Sequence, residues 1–435
     1  MSLRQNALLL AVLTTLIAIV GAWSGDAALA GAWRWPLALL LLGLAYEGWV
    51  LLRAHLTVAL RVEEAVVLGR ALPLQVRLTH SLARTLSVEL APDAPAAVEV
   101  AEQVQLLEVP ATGSSSCAAA VLSITPRRLG EHRWPVIRTR IGGPLGLAWW
   151  TRRLVTDFKL QVVPELLRDD ARRLGVAMVG PRTGATVGAG AEILQLRDYR
   201  SGDPQHLIDW KATARRGRLI SREFSEDQHL EIVIAIDAGR GSALRAGNLD
   251  RLGHYANLAA RFAEHAVAAD DRVGLVLFAD RPLATIAPGR GVSTVVRIRR
   301  LLAASQLAPA ESNPLNAALH IRTLARQRCL VVLLTDLDDA TVAGQLASAA
   351  RLLLPKHLPL IAGLASPAAE QLAHAPARSW LDPYESLAAQ EYGARLRRNV
   401  QALHALGAPA VLARPEQLER AVFHAYGEFR HRRRV

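Results

Sequence analysis

Asp237 and Asp336 are the residues of this sequence best placed to do chemistry. Each closes a run of branched apolar residues, "LEIVIAID" and "VVLLTD", and each run reads as a buried strand. In a parallel sheet the ligand crevice lies beyond the carboxyl ends of the strands. Both carboxylates therefore face one crevice, with Asp280 after "RVGLVLFAD" as a third at the same level. Converging carboxylates suit a hard divalent cation, which gathers several oxygens. Ser242, in the turn "AGRGS" after Asp237, offers the nearest hydroxyl. A phosphate loop is excluded, because the G-x-x-x-x-G-K-[ST] spacing and its lysine are missing and the leading acid would repel phosphate. The 13 histidines show no H-x-x-x-H or H-E-x-x-H spacing that would set two ligands on one helix face.

A second dense stretch, "RDYRSGDPQHLIDWKATARRGRLISREF", mixes Asp198, Arg200, Asp203, Asp209, Lys211 and Arg215 with Tyr199 and Trp210. Buried acids and bases are costly unless paired, so one reading is a salt-bridged strap between domains. The other is a docking surface, with Trp210 as anchor and Lys211 and Arg215 steering an acidic partner. No nucleophile and base stand at a readable spacing within it.

The elements that must position these residues follow from pattern. A length of 435 residues implies two or three domains. "ALLLAVLTTLIAIVGAW" and "PLALLLLGLAYEGWVLL" are each long enough to cross a bilayer, which predicts a transmembrane hairpin over about 7–23 and 36–52. A cleaved signal peptide ending at "ALA", residues 28–30, is the alternative for the first. Glu47 inside the second span is a cost most easily met near the interface. Arg4 precedes the pair and Arg53, His55, Arg61 and Arg70 follow it, which places both ends in the cytoplasm of a bacterial inner membrane, with lipid as one partner.

Residues 56–165 alternate apolar and polar between Gly, Pro and Ser punctuation, as in an antiparallel β-sandwich-like domain. A polar connecting segment spans 166–228. From 229 to 435 strands and helices alternate, the pattern of a doubly wound α/β domain. In it, "LDRLGHYANLAARFAEHAV" sets Leu249, Leu252, Ala256, Ala259, Phe262 and Val267 on one helix face, and Asp338 and Asp339 stand where acids favour the start of a helix. The formal charge of +12, with mean hydropathy of +0.18, fits a membrane protein with a basic cytoplasmic face. The arginines are dispersed and no nucleic-acid motif organises them, so nucleic acid is not an expected partner. Cys117 and Cys329 cannot build a disulfide framework, and Cys329 at the head of "CLVVLLTD" reads as a buried small hydrophobe.

The order strand, Asp237, glycine-serine turn, helix, then Asp336 resembles a von Willebrand factor A-type domain. That resemblance implies a metal-ion-dependent adhesion site for Mg²⁺ or Mn²⁺. Here it is degenerate: Gly239 and Gly241 stand at the two serine positions, Ser242 falls one residue late, and Ser312 or Asn313 stands where threonine is expected. The middle stretch is similar to the signature of a bacterial family catalogued as domain of unknown function 58, R-x-Y-x-x-G-D-x-x-x-x-I-D-W-K-x-x-A-R. Arg197, Tyr199, Gly202, Asp203, Ile208, Asp209, Trp210, Lys211, Ala214 and Arg215 fill its positions. Upstream, Gly143 in "GGPLGLAWW" replaces the aspartate usual in that family's D-P-[FL]-G-L turn. The resemblance implies a non-enzymatic interaction or adaptor protein working with a MoxR-type AAA+ ATPase in assembly or maturation of envelope or other protein complexes. A metal-dependent enzyme using Asp237, Asp336 and Asp338 is the alternative from another class, and a purely structural membrane scaffold is the third.

Overall fold

A computed structural model describes residues 2–24, 31–62, 65–101, 104–111, 118–167, 187–225 and 230–432, so Cys117 and the "ALA" at 28–30 lie outside the described residues. The chain divides into two compact units, Met1–Val163 and Pro164–Val435.

The first unit opens with two helices, Gln5–Ser24 and Arg34–Leu52, each long and apolar enough to cross a membrane. Two sheets follow. In one, Thr57–Arg61, Leu72–Thr79, Ala118–Pro126 and Val98–Val100 pair in that order. In the other, Ser2–Leu3, Ala148–Val163, Gly130–Gly142, Leu86–Ala91 and Gln105–Val109 pair in that order, with Val66–Val67 beside Ala148–Val163. Period-two sequence sends alternate residues inward, so Leu74, Val76, Leu78, Leu122 and Ile124 are fully buried while their neighbours face out. Val98–Val100 and Gln105–Val109, close in sequence, lie in different sheets.

The second membrane-length helix is fastened to the turn at 143–148. Glu47 is completely buried, and its carboxylate accepts from the backbone N–H groups of Leu145, Leu147 and Ala148 at 2.9, 3.0 and 3.1 Å and from Trp150 Nε1 at 3.4 Å. Protein donors rather than interfacial water thus satisfy this acid. Gly43 and Gly48 let the same helix approach closely, since a Cβ there would stand 2.7 Å from Leu147 Cδ1 and 2.9 Å from Trp150 Cη2. At the helix end, where carbonyls lack intrahelical partners, the Arg152 guanidinium donates to the Leu51 and Ala54 oxygens.

In the second unit the strands of the main sheet stand in the order Pro282–Gly289, Arg272–Phe278, Glu231–Asp237, Cys329–Leu334, Leu358–Leu364, Ala410–Ala413. Five are parallel, and Pro282–Gly289 lies antiparallel at one edge. The parallel sheet expected from sequence gains this antiparallel edge strand, because residues 279–281 are too few for a crossover and fold back as a hairpin. Val233 and Ala235 pack on one face with Ala317, Ile321, Leu346 and Leu403, and Ile232, Ile234 and Ile236 are buried on the other. Burial on both faces explains why these strands read as continuous apolar runs. Arg251–Ala268 lies against the sheet, and its Phe262 meets Tyr426 of Pro415–Arg432 edge-on at 5.1 Å. The expected apolar face holds at Leu252, Ala256, Ala259 and Phe262, while Leu249 sits in a short strand before the helix and Val267 is half-buried.

Of the connecting segment, residues 168–186 and 226–228 lie outside the described residues, and 187–225 carry regular structure. Val187–Asp198 and Ile220–Ser225 form an antiparallel pair around the short helix Trp210–Arg216. Period-two alternation in "EILQLRD" and "LISREF" is the local cause.

Candidate functional site

The chain runs from Glu231–Asp237 outward to one side of the sheet, then returns to place Cys329–Leu334 on the other. Strand order reverses at the carboxyl ends of these two strands, where α/β sheets open a crevice. A cleft of about 360 Å³ lies there, with Asp237, Gly241, Ser312, Asp336, Asp338 and Tyr392 in its lining. Asp280 is exposed, does not line the cleft, and contributes its carbonyl to Asn316 Nδ2.

Asp237 is 1% exposed. Its Oδ2 accepts from Thr335 Oγ1 at 2.6 Å and its Oδ1 from the Gly239 N–H at 2.8 Å. Burial holds this carboxyl above the usual carboxylate range, against the pull of Thr335, Ser312 and the Gly239 amide. The Ser242 hydroxyl, fully buried, donates to the Asp237 carbonyl at 2.8 Å and so serves the turn. Ser312 is 8% exposed, and although its hydroxyl acts on Asp237, it finds no partner at ordinary hydrogen-bond geometry among the described residues.

Asp336 and Asp338 share a partner that sequence reasoning missed. Arg251, first residue of its helix and 4% exposed, pairs through Nη1 with Asp336 and donates to Asp338 at 3.2 and 2.9 Å. Tyr392 donates to Asp338 Oδ2 at 2.9 Å, and burial raises its hydroxyl to about 12. Burial works against the Arg251 charge, but Asp338 beside it outweighs that and holds the guanidinium protonated more firmly than in water. Of the two acids expected to start a helix, only Asp339 does so, accepting from the Thr341 and Val342 N–H groups at 2.7 and 3.1 Å. Asp338 is turned back into the cleft.

A divalent ion does not fit this donor set as it stands. Gly239 and Gly241 bring no oxygen, the Ser242 hydroxyl is committed to the backbone, and a guanidinium already stands on Asp336 and Asp338. Among the described residues no group of three or more His, Cys, Asp or Glu is placed to share an ion.

The signature segment divides into a lock and a free face. Arg197 holds Asp203 through two parallel bonds of 2.7 and 2.8 Å and reaches Glu223 through Nε. The Asp203 carboxylate also accepts from the Arg200 N–H at 3.0 Å, Tyr199 donates to the Asp203 carbonyl at 3.2 Å, and Gly202 makes the turn at φ 105°. The hydrogen bond from Arg197 holds Asp203 below the usual carboxylate range, and bonds from Gln195 and Arg197 do the same for Glu223. Asp209 caps the short helix, accepting from the Ala212 N–H at 2.9 Å. Trp210 is 65% exposed, and Lys211 and Arg215 beside it are exposed as well.

Residues 195–385 match the family model described as "Protein of unknown function DUF58", a range that takes in the signature and the cleft acids Asp237, Asp336 and Asp338 but ends before Tyr392. No curated protein matches the chain. Among solved structures, the crystal structure of conserved hypothetical protein BatB from Bacteroides thetaiotaomicron is 14% identical, covering 46% of this chain and 98% of that one, with a TM-score of 0.31.

Proposed function

We propose that this chain is a membrane-anchored, non-enzymatic interaction protein that works with a MoxR-type AAA+ ATPase in assembly or maturation of envelope or other protein complexes. The observation that carries the reading is the division of the signature segment. Its acids are spent on internal pairs with Arg197 and Arg218 and on capping, while Trp210, Lys211 and Arg215 stay outside on one short helix. An exposed tryptophan beside two cations four residues apart is the composition of an interface anchor with charge steering toward an acidic partner. The segment that presents it is braced, so docking need not order a flexible loop.

In this reading the two apolar helices form the anchor. Both ends face the cytoplasm, as the basic residues at 4, 53, 61 and 70 direct. The two sheets of the first unit act as a sandwich-like spacer, and the second unit is a von Willebrand factor A-like domain whose strand-end site has lost two hydroxyl ligands. The test is co-purification of the full chain in detergent with the ATPase held in a non-hydrolysable nucleotide state. The ATPase should co-purify with the wild type and be lost with Trp210→Ala or Lys211→Glu at unchanged thermal midpoint. Failure to recover it with the wild type, or equal recovery with both variants, would overturn the reading.

A further inference from the structure

We propose that Arg251 is a built-in cation occupying the place a divalent ion would take between Asp336 and Asp338, so that the strand-end cleft works without metal. The inference is independent of the docking role given to Trp210. Three carboxylates, from Asp237, Asp336 and Asp338, line one cleft at the switch point of the sheet. Such a cluster demands a counter-charge, and in this chain the charge arrives on a side chain. A guanidinium presents its donors in a planar fork and keeps its proton under all ordinary conditions. Here that fork reaches both acids, Nη1 to Asp336 and Asp338 and Nη2 to Asp338 and, at 3.5 Å, the Tyr392 hydroxyl.

The glycines of the preceding turn agree with this exchange. A Cβ on Gly241 would stand 3.2 Å from Asp336 Oδ2. One on Gly239 would stand 3.0 Å from Asp237 Oδ1, 3.1 Å from the Ala310 carbonyl and 3.1 Å from the Ser312 N–H. Side chains carrying hydroxyls at these positions would need the acids, and at 239 the facing backbone, to give by a few tenths of an ångström. Absent hydroxyls and present arginine are thus two sides of one arrangement: the oxygens an ion would need are missing where a tethered cation makes them unnecessary. Asp237 feels the Arg251 charge, but its direct bonds are to Thr335 and Gly239, and the guanidinium bonds the other two acids.

The test titrates Mn²⁺ against the full chain in detergent and follows the free-ion signal by electron paramagnetic resonance. Wild-type protein should leave that signal undiminished, and Arg251→Ala should deplete it saturably, an uptake that adding Asp336→Asn abolishes. If Arg251→Ala does not fold, Arg251→Gln keeps much of the stem and a hydrogen-bonding head without the charge, and carries the same expectation. Saturable uptake by wild-type protein that Asp336→Asn removes would overturn the proposal. So would a folded Arg251 variant that takes up no Mn²⁺, and the wild-type measurement decides alone if neither variant folds.

Discussion

The Glu47 carboxylate occupies the space that any side chain at position 143 would need, since a Cβ on Gly143 would stand 2.1 Å from Glu47 Cδ and Oε2. Glycine here is a consequence of the helix that passes by. In the family that the upstream sequence resembles, an aspartate is usual at this turn. In this chain the acid comes from the apolar helix Arg34–Leu52, and it gathers the N–H groups of the turn from outside.

Gly143→Ala should therefore cost about 1–3 kcal/mol, the usual range for overpacking a filled site. Glu47→Ala should cost a similar amount, because unsatisfied buried donors are worth about 1–3 kcal/mol. The two changes should not add: once Glu47 is truncated, a methyl at 143 meets open space, and the coupling should exceed about 0.5 kcal/mol. Thermal midpoints of the four proteins in one detergent measure this, and additive costs would show that the contact does not govern the turn.

Arg197→Lys should loosen the signature hairpin although the charge is kept. A lysine cannot reproduce the two parallel bonds to Asp203 while also reaching Glu223. Limited proteolysis within residues 197–223 should quicken several-fold while the rest of the chain resists as before. Acid should act in the same place. Asp203 and Glu223 titrate below their ordinary range, so their contribution is whole above the unfolded carboxylate values of about 4 and is lost only as pH falls through the lower folded ones. Protection at pH 5 should equal that at pH 7.

Asp237 has the opposite sign. Its folded carboxyl titrates above the unfolded one, so its favourable contribution is complete below about pH 4 and declines as pH rises through the folded value. Asp237→Asn keeps an acceptor for the Gly239 N–H and removes the buried charge. The variant's stability relative to wild type should climb with pH from about 4 upward, at no more than about 1.4 kcal/mol per unit, and then level off. Melting curves across pH check it, and a difference that is flat or falls with pH would contradict the assignment.

The strand ends were legible in sequence because apolar runs buried on both faces announce themselves, and Asp237 and Asp336 close two of them. Arg251 was not, for a physical reason. It stands in the first turn of an amphipathic helix, where an arginine ordinarily faces water, and its Asp338 partner lies 87 residues away. The donors to Glu47 are likewise backbone groups about a hundred residues on, which no spacing rule anticipates. The edge strand Pro282–Gly289 escaped because only Ile286 of its residues is buried, so it carries little of the apolar pattern that marks a strand. Signature residues stood out by density alone, and only the fold sorts Arg197 and Asp203, which pair with each other, from Trp210, which is 65% exposed.

Asp338 and Asp339 are adjacent acids that sequence treats alike, and the structure gives them different work. Asp339 caps the helix Ala340–Leu353 from an exposed position, so Asp339→Ala should cost about 1 kcal/mol, the usual loss of an N-cap. Asp338 bonds Arg251 and Tyr392 in a largely buried setting. Breaking a buried pair by removing one partner costs about 3–5 kcal/mol when the survivor is left alone. Arg251 retains Asp336, so Asp338→Ala should fall below that range but above its neighbour, at about 2–3 kcal/mol. Denaturant unfolding of the two variants side by side decides the matter. Equal costs, or the larger cost at 339, would mean that Arg251 is held by Asp336 alone and that Asp338 is a bystander in the cleft.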